Sequence, residues 1–399
     1  MKLSWQRKLL IFMTSQTVSM LGSSIVSLSL IWYVTLQTNS GIAITGITIT
    51  TFLPQALIML VGGVIADRFP LKKIIMLSDS FTALSTLCLA VIYTSGNDSI
   101  LWIYVFNSLR SIGSGIQMPA TKSILPSFIP QEELMRANSY LTTTWSIIQL
   151  ISPALAGIAL SFSSLSVVLM LDFITAVIGI LLLLIIPIKN KERHYSKNGW
   201  LELKQGVQYL TKSTKLRTII SLYTLFNILV VPTSQLTPLL ASTRLDGDVW
   251  ILTCVEMAFS IGALLGSLYL GYKKITISHM KLVGYSICIF GLSMGLLIYA
   301  NSIWLFALFM LIMGIGSPLY YTPIITMVQE YSDPTYIGRM FSYVDLFGTL
   351  ATPLGMMIFA PLSSINLDFP FILPSIALLL LGIWTSKKQN YLRIFNRGI

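Results

Sequence analysis

The sequence predicts an all-α polytopic membrane protein, with twelve transmembrane helices in two parallel six-helix repeats. The first observation is composition: 54% of the 399 residues are hydrophobic and only 10% are charged, with a mean hydropathy of +0.78, whereas soluble proteins carry about 25% charged residues. The second is that apolar runs long enough to cross a bilayer follow one another along the whole chain. The third is that short motifs of the first half return in the second half.

The apolar runs divide into twelve spans, because a transmembrane helix needs about 20 apolar residues. Their expected limits are 9–35, 42–66, 74–95, 100–122, 138–161, 165–188, 218–241, 249–271, 282–300, 303–327, 340–361 and 368–386. The first run follows a basic start, lacks an A-x-A-like cleavage site and is too long for the core of a signal peptide. We therefore expect it to be an uncleaved first span.

Basic residues fix the expected orientation of the spans. The chain carries 26 Lys and Arg residues. All of them except Arg110 and Arg244 fall in the termini and connections that lie on one side of the membrane when successive spans run in opposite directions. Cytoplasmic loops collect Lys and Arg, so both termini are expected in the cytoplasm of a cell-membrane protein. The net charge of +11 then follows from topology, and no nucleic-acid partner is expected.

The three cysteines lie in apolar segments and the two histidines in loops. Neither residue type shows the spacing of a disulfide framework or a metal site. We expect no metal and no cofactor, with a small molecule and the bilayer as the only partners of a monomeric chain.

The domain organisation follows from the one long interior connection. Residues 1–188 form an N-terminal six-helix half, 189–217 a basic cytoplasmic linker, and 218–399 a C-terminal six-helix half with a short cytoplasmic tail. The second part of the linker, Trp200–Leu210, is expected to be an amphipathic helix that lies on the inner leaflet.

Motifs of the two halves correspond at nearly one offset. The pairs are Lys72-Lys73 with Lys273-Lys274, Gly113 and Gly115 with Gly314 and Gly316, Arg136–Tyr140 with Arg339–Tyr343, and Ser152-Pro153 with Thr352-Pro353. A parallel repeat of six spans predicts two halves related by an axis along the membrane normal, with a central site between them.

A charged turn joins the second and third spans. It reads G-x-x-x-D-R-x-P-x-K-K from Gly63 through Asp67 and Arg68 to Lys72 and Lys73. Such a turn must stand at a water interface, since bare charge is costly in hydrocarbon. The Asp67 carboxylate is placed to accept hydrogen bonds from backbone N–H groups or from a helix N-terminus.

This turn resembles the loop 2–3 signature of the major facilitator superfamily, although Pro70 stands where the family usually has Gly. The resemblance implies a twelve-helix transporter fold and a gating role for the turn. It also implies that Asp79 and Asp345, near the cytoplasmic ends of the third and eleventh spans, lie close to the turn. An ordinary basic cytoplasmic loop is the alternative.

Three charged residues within spans are candidates for proton coupling. Arg110 stands near mid-membrane in the fourth span and begins a string that resembles the R-x-x-x-G motif of proton-coupled exporters. Asp172 and Glu256 lie about two helical turns inside the outer face, where burial favours the protonated form of a carboxyl. Such charges are functional hypotheses by default. The alternatives are a structural ion pair for Arg110 and local capping or pairing for the acids.

Further polar and helix-breaking residues are weaker candidates. Pro153 and Gly157 resemble part of the G-P-x-x-G signature of drug antiporters, and the alternative is a packing kink. The candidates for a substrate cavity are Gln16, Ser19, Asn107, Gln117, Gln149, Asn227 and Gln235. Each of these could instead bond one helix to the next.

Several strings resemble the macrolide-efflux branch of the superfamily, which is similar also to siderophore exporters. They include Pro130–Leu134, Ile151–Ala154, Thr253–Phe259 and Gly338–Ser342. The resemblance implies a proton-driven exporter of a small amphipathic compound such as a macrolide. The alternative is an exporter of an endogenous metallophore or siderophore. A non-transporting sensor and a membrane-embedded enzyme are less favoured, since no catalytic cluster or phosphate loop is present in the sequence.

Overall fold

The structure is a computed structural model in which the protein is helical throughout the part described. The described ranges are residues 4–130, 133–187, 207–245, 248–272, 277–333 and 336–387. No strand occurs in these ranges, and eleven segments within them are long and apolar enough to cross a membrane. The predicted all-α membrane class is confirmed.

The described residues of the first half form six α-helices. They are α1 (Trp5–Thr38), α2 (Gly41–Arg68), α3 (Leu71–Thr94), α4 (Ile100–Ile124), α5 (Leu134–Phe162) and α6 (Leu165–Ile185).

The described residues from Thr214 onward form seven α-helices. They are α7 (Thr214–Leu229), α8 (Thr237–Arg244), α9 (Val249–Tyr272), α10 (His279–Leu297), α11 (Ile303–Tyr331), α12 (Ile337–Ser363) and α13 (Phe369–Lys387).

The fourth predicted span is the one absent from the apolar set. Helix α4 has 25 residues, about 37 Å at 1.5 Å per residue, which is enough to cross the hydrocarbon core. Its polar residues, among them Asn107, Arg110 and Gln117, lower its hydropathy. A span this polar must turn those side chains toward other helices, and the contacts described below show that it does.

The seventh predicted span, 218–241, is not a single α-helix. Helices α7 and α8 are joined by a π-helical segment, Pro232–Leu236. Proline has no N–H to donate and displaces the preceding turn, so the backbone changes its hydrogen-bond register there. The Thr233 hydroxyl donates to the Val230 carbonyl and the Thr237 hydroxyl to the Thr233 carbonyl, each at 2.6 Å.

The described chain divides into two compact units. The N-terminal unit contains the described residues before 188 except Asn39–Thr45, and the C-terminal unit contains those from 207 onward together with Asn39–Thr45.

Helix packing repeats between the units, which confirms the predicted internal repeat. In the N-terminal unit α3 packs against α4 and α6, and α1 against α5. In the C-terminal unit α10 packs against α11 and α13, and α7 against α12. The prolines of the corresponding motifs, Pro153 and Pro353, are both buried, in α5 and α12.

Glycines of the repeated motifs allow close helix contacts in both units. A Cβ on Gly115 of α4 would stand 2.8 Å from the Gln55 carbonyl oxygen of α2, and a Cβ on Gly314 of α11 would collide with the Phe259 carbonyl oxygen of α9. Small residues at such crossings let two backbones approach.

Most of the predicted linker, residues 188–206, lies outside the described residues, as does most of the expected amphipathic helix Trp200–Leu210. Residues 207–212 are helical. The Tyr209 ring stacks on Tyr336 with centroids 4.3 Å apart, and its hydroxyl accepts a hydrogen bond from the Asp333 N–H at 2.9 Å. These contacts attach the end of the linker to the α11–α12 connection.

Candidate functional site

A buried ion pair lies at the centre of the N-terminal unit. The Arg110 guanidinium on α4 donates through Nη2 to Asp172 Oδ2 on α6 at 3.1 Å, and the two side chains are 5% and 1% exposed. The predicted alternative of a structural ion pair is therefore present in the geometry. Removing one partner of such a pair leaves an uncompensated buried charge, which costs about 3–5 kcal/mol.

Two further helices bond to the same carboxylate. Ser23 on α1 donates to Asp172 Oδ1 at 3.0 Å, and Thr86 on α3 donates to Asp172 Oδ2 at 2.9 Å. Asp172 thus holds α1, α3, α4 and α6 together through its two oxygens.

Asp79 is a second buried acid in this unit and is 4% exposed. Its Oδ1 accepts hydrogen bonds from Gln117 Nε2 at 2.6 Å and from Ser19 Oγ at 3.2 Å. Asp79 was predicted to belong to the gate at the charged turn. The structure places its side chain inside the bundle, between α1, α3 and α4.

These groups form one polar column along the inside of the N-terminal unit. Thr121 donates to Gln16 at 3.4 Å at the end where α1 begins, and Asp79 and then the Arg110–Asp172 pair follow along the bundle. The polar column consists of Gln16, Ser19, Ser23, Asp79, Thr82, Thr86, Arg110, Gln117, Thr121 and Asp172. Three cavity candidates, Gln16, Ser19 and Gln117, therefore bond between helices.

The remaining cavity candidates have different surroundings. Asn107 donates to Thr51 at 2.7 Å and to Thr50 at 3.2 Å, which ties α4 to α2. Gln149 is exposed and Gln235 is buried in the π-helical segment. Of the predicted drug-antiporter motif, Pro153 and Gly157 are both buried within an unbroken α5.

The gate candidates are only partly described. The surroundings of Gly63 and the side chains of Asp67 and Arg68 lie outside the described part of the chain. Lys72 donates through Nζ to the Leu184 carbonyl at 2.9 Å and the Ile186 carbonyl at 2.7 Å. It therefore caps the C-terminal end of α6, where a cation also complements the helix dipole.

The two other gate candidates have different surroundings. Lys73 is exposed, and Asp345 is half-buried in α12, where its carbonyl accepts a bond from Thr349 at 2.8 Å.

The C-terminal unit contains a cavity of about 250 Å³ beside Glu256 of α9. Six of its thirteen lining residues are aromatic and five are polar. The lining residues are Tyr223, Phe226, Asn227, Val230, Thr233, Ser234, Glu256, Phe259, Phe290, Met310, Ser317, Tyr320 and Tyr321.

The aromatic rings of this cavity pack against one another. Phe226 stacks on Tyr320 with centroids 3.7 Å apart and meets Phe290 edge-to-face at 5.2 Å. The one cavity candidate in the lining, Asn227, donates to the Tyr223 carbonyl at 2.8 Å. A carboxylate set among aromatic faces is an environment that can attract an organic cation, because both groups present negative charge.

Glu256 lies in a helix that corresponds to the eighth predicted span, but its aromatic surroundings were not predicted. The available signal was the helical spacing of Tyr223 and Phe226 in the seventh span, together with the Tyr320-Tyr321 pair in the tenth. The polar column also had a signal: the spacing of residues 16, 19 and 23 on α1 and of 79, 82 and 86 on α3 puts each set on one helix face.

Two repeated units of membrane-crossing helices, with charged side chains buried between the helices, are typical of a membrane transporter. A family model described as transmembrane secretion effector matches residues 6–387. The chain belongs to this family, within the major facilitator superfamily.

The names of two relatives describe efflux or transport of a compound. Macrolide efflux protein A of Streptococcus pyogenes is 26% identical over 362 residues, which cover 90% of this chain and 89% of that protein. The staphyloferrin A transporter of Staphylococcus aureus is 23% identical over 302 residues, which cover 74% of this chain and 75% of that protein.

Solved structures of transporters share the fold. A nucleoside transporter superposes with a TM-score of 0.74 at 14% identity, covering 96% of this chain and 98% of its own. A POT family transporter in complex with 5-aminolevulinic acid gives 0.73 at 16% identity, covering 96% of each chain. The protein is a multi-pass membrane transporter of small molecules and not an enzyme.

Proposed function

We propose that the protein exports small amphipathic compounds that carry an amine, in exchange for protons, by alternating access. The observation that carries this proposal is Glu256 in the lining of the aromatic cavity. The similarity to macrolide efflux protein A supports export of a drug-like compound.

Recognition of the substrate follows from the chemistry of the cavity. The rings of Phe226, Phe290 and Tyr320 offer apolar surface to the body of the substrate, and the Glu256 carboxylate attracts its ammonium group. Among the described residues, no cation or hydrogen-bond donor bonds to the Glu256 carboxylate. A substrate cation would thus be its first charged partner.

Coupling follows from competition for this carboxylate. Glu256 can bind a proton or neutralise the substrate cation, but not both at once, because a protonated carboxyl carries no negative charge. Entry of a proton on one side of the membrane then favours release of the substrate, and loss of the proton on the other side restores the binding site.

The experiment is transport by purified protein in liposomes with an imposed pH gradient. Two fluorescent amphipathic compounds of one scaffold are compared, one with an amine and one without it. Glu256→Gln should abolish pH-driven transport of the amine and weaken its binding about tenfold or more, the loss of one desolvated charge pair. Binding of the neutral compound should change little.

Glu330→Gln is the matched control, since Glu330 is an exposed acid that pairs with His279 at 3.7 Å and stands outside the cavity. It should transport both compounds at the rate of the unmodified protein. Equal, gradient-driven transport of the amine by Glu256→Gln would overturn the proposal.

The similarity to the staphyloferrin A transporter favours a metal chelator as the second candidate substrate. Chelators of hard metal ions carry oxygen donors that are commonly anionic. Glu256 would repel an anionic chelator, so Glu256→Gln should then raise its export. The same vesicles distinguish the two candidates by the direction of the change.

A further inference from the structure

Buried polar atoms without partners are concentrated in the polar column. Among the described residues, nine buried side-chain nitrogen or oxygen atoms have no hydrogen-bond partner. Five of them belong to the column: Gln16 Nε2, Asp79 Oδ2, Thr82 Oγ1, Arg110 Nε and Arg110 Nη1.

The free hydroxyl of Thr82 lies between the two carboxyl groups of the column, whereas Gln16 stands beyond Asp79. Asp79 and Thr86 are seven residues apart on α3, about 10 Å at 1.5 Å per residue, and the Thr86 hydroxyl bonds to Asp172. Thr82 stands between them on the same helix face. Its hydroxyl lies where a Cβ would stand on Gly113 of α4, one turn from Arg110.

Such atoms are costly to leave without partners. Each unsatisfied buried group costs about 1–3 kcal/mol, and buried water commonly supplies the missing bonds where several polar groups converge. The four free atoms of Asp79, Thr82 and Arg110 therefore favour a chain of water between Asp79 and Asp172.

Charge counting sets the number of protons that the column holds. With both acids ionised and Arg110 charged, the three groups sum to one negative charge in a low-dielectric interior. One added proton makes the column neutral. The other charged residues among the described side chains of α1, α3, α4 and α6 are Arg7, Lys8, Lys72 and Lys73, which lie at helix ends, so they do not face Asp79.

We propose that Asp79 and Asp172 share one proton, which passes between them through water beside Thr82, while Arg110 pairs with whichever carboxylate is ionised. In the transfer, the O–H bond at Asp79 breaks and an O–H bond at Asp172 forms. Nε and Nη1 of Arg110, which are free in the structure, then bond to Asp79. The column is neutral before and after the step, so the transfer moves a proton without creating a buried net charge.

This relay rests on the proposed proton coupling but can be tested without transport. The full-length protein carrying Glu256→Gln, which removes the acid of the aromatic cavity, is titrated by infrared spectroscopy for the C=O band of a protonated carboxyl. One such band should appear. Because the proton is shared, Asp79→Asn should remove the band, and Asp172→Asn should remove it as well, since Asp79 then pairs with Arg110.

A band that persists in Asp172→Asn would mean that the proton belongs to Asp79 alone, and no band before either change would mean that the column holds no proton. Both results overturn the relay while leaving proton-driven export by Glu256 intact. A shared band without pH-driven export in the unmodified protein would instead reject the proposed function and keep the shared proton.

A second variant tests the path. Thr82→Val removes the intermediate hydroxyl with little change of shape, and pH-driven export should fall about tenfold, the low end of what one proton-transfer group contributes, with substrate affinity unchanged. Thr94→Val is the control on the same helix, because the Thr94 hydroxyl is exposed and bonds only to the Val91 carbonyl at 2.8 Å. Equal export by the two variants would overturn the proposed path.

Discussion

At the scale of residues, the buried charges of the N-terminal unit are organised around Asp172. Its carboxylate receives Arg110, Ser23 and Thr86 from three other helices. A buried ion pair is not by itself a source of stability, since desolvation of the two charges offsets their attraction. The Arg110–Asp172 pair is therefore weak evidence for a stabilising role.

A double-mutant cycle measures this balance. Arg110→Met alone should lower the free energy of unfolding by about 3–5 kcal/mol because it leaves Asp172 without its cation, whereas Arg110→Met combined with Asp172→Leu should recover most of the loss. The measurement is thermal unfolding of purified protein in detergent. A double variant as unstable as the single one would show that the surrounding hydroxyl groups, and not the pair, determine the cost.

Lys72 and Lys73 are adjacent lysines with different surroundings. Lys72 bonds to two carbonyls at the end of α6, while Lys73 is exposed. Lys72→Met should lower the free energy of unfolding by about 1–2 kcal/mol, through the lost cap and dipole interaction. Lys73→Met should have little effect, and equal losses from the two variants would contradict the capping role.

At the scale of elements, periodicity and length predicted the helices, because a bilayer allows few alternatives to a long apolar helix. The π-helical segment Pro232–Leu236 was not predicted, since proline alone does not say whether a helix kinks, ends or changes register. Contacts between helices were also hidden. Asp79 was predicted as a gate residue from its depth in the span, which can be read from the sequence. The helices that its side chain contacts cannot be read in this way.

The close crossing of α9 with α11 gives a prediction at this scale. A Cβ on Gly262 would collide with the Leu311 carbonyl oxygen, which is backbone and cannot rotate away. Gly262→Ala should therefore lower the melting temperature in detergent and reduce the amount of folded protein. In the same helix, Gly271 has nothing within 4 Å of a Cβ, so Gly271→Ala should be neutral or stabilising by up to about 1 kcal/mol from helix propensity.

At the scale of the whole molecule, the repeat relates the packing of the two units but their charges differ. The N-terminal unit buries Arg110 with Asp79 and Asp172, whereas the C-terminal unit sets Glu256 beside an aromatic cavity. In the function proposed here the two units divide the work: the C-terminal unit would bind the substrate and exchange it for a proton at Glu256, and the N-terminal unit would hold the proton shared by Asp79 and Asp172. The sequence showed the repeat through its glycines and prolines, which backbone geometry constrains, and concealed the division because side-chain partners come from distant spans.

Orientation in the membrane is the remaining prediction, and it rests on the distribution of Lys and Arg. Residues Ser95 and Ser364, both exposed in short connections, are expected on the outer side, and Ser196 in the basic linker on the inner side. In a variant with Cys88, Cys254 and Cys288 replaced by Ser, single cysteines at these positions are labelled in intact cells with a membrane-impermeant maleimide. Positions 95 and 364 should react in intact cells, and position 196 only after the cells are opened. Reaction of position 196 from outside would reverse the orientation, and with it the direction in which Glu256 meets the higher proton concentration.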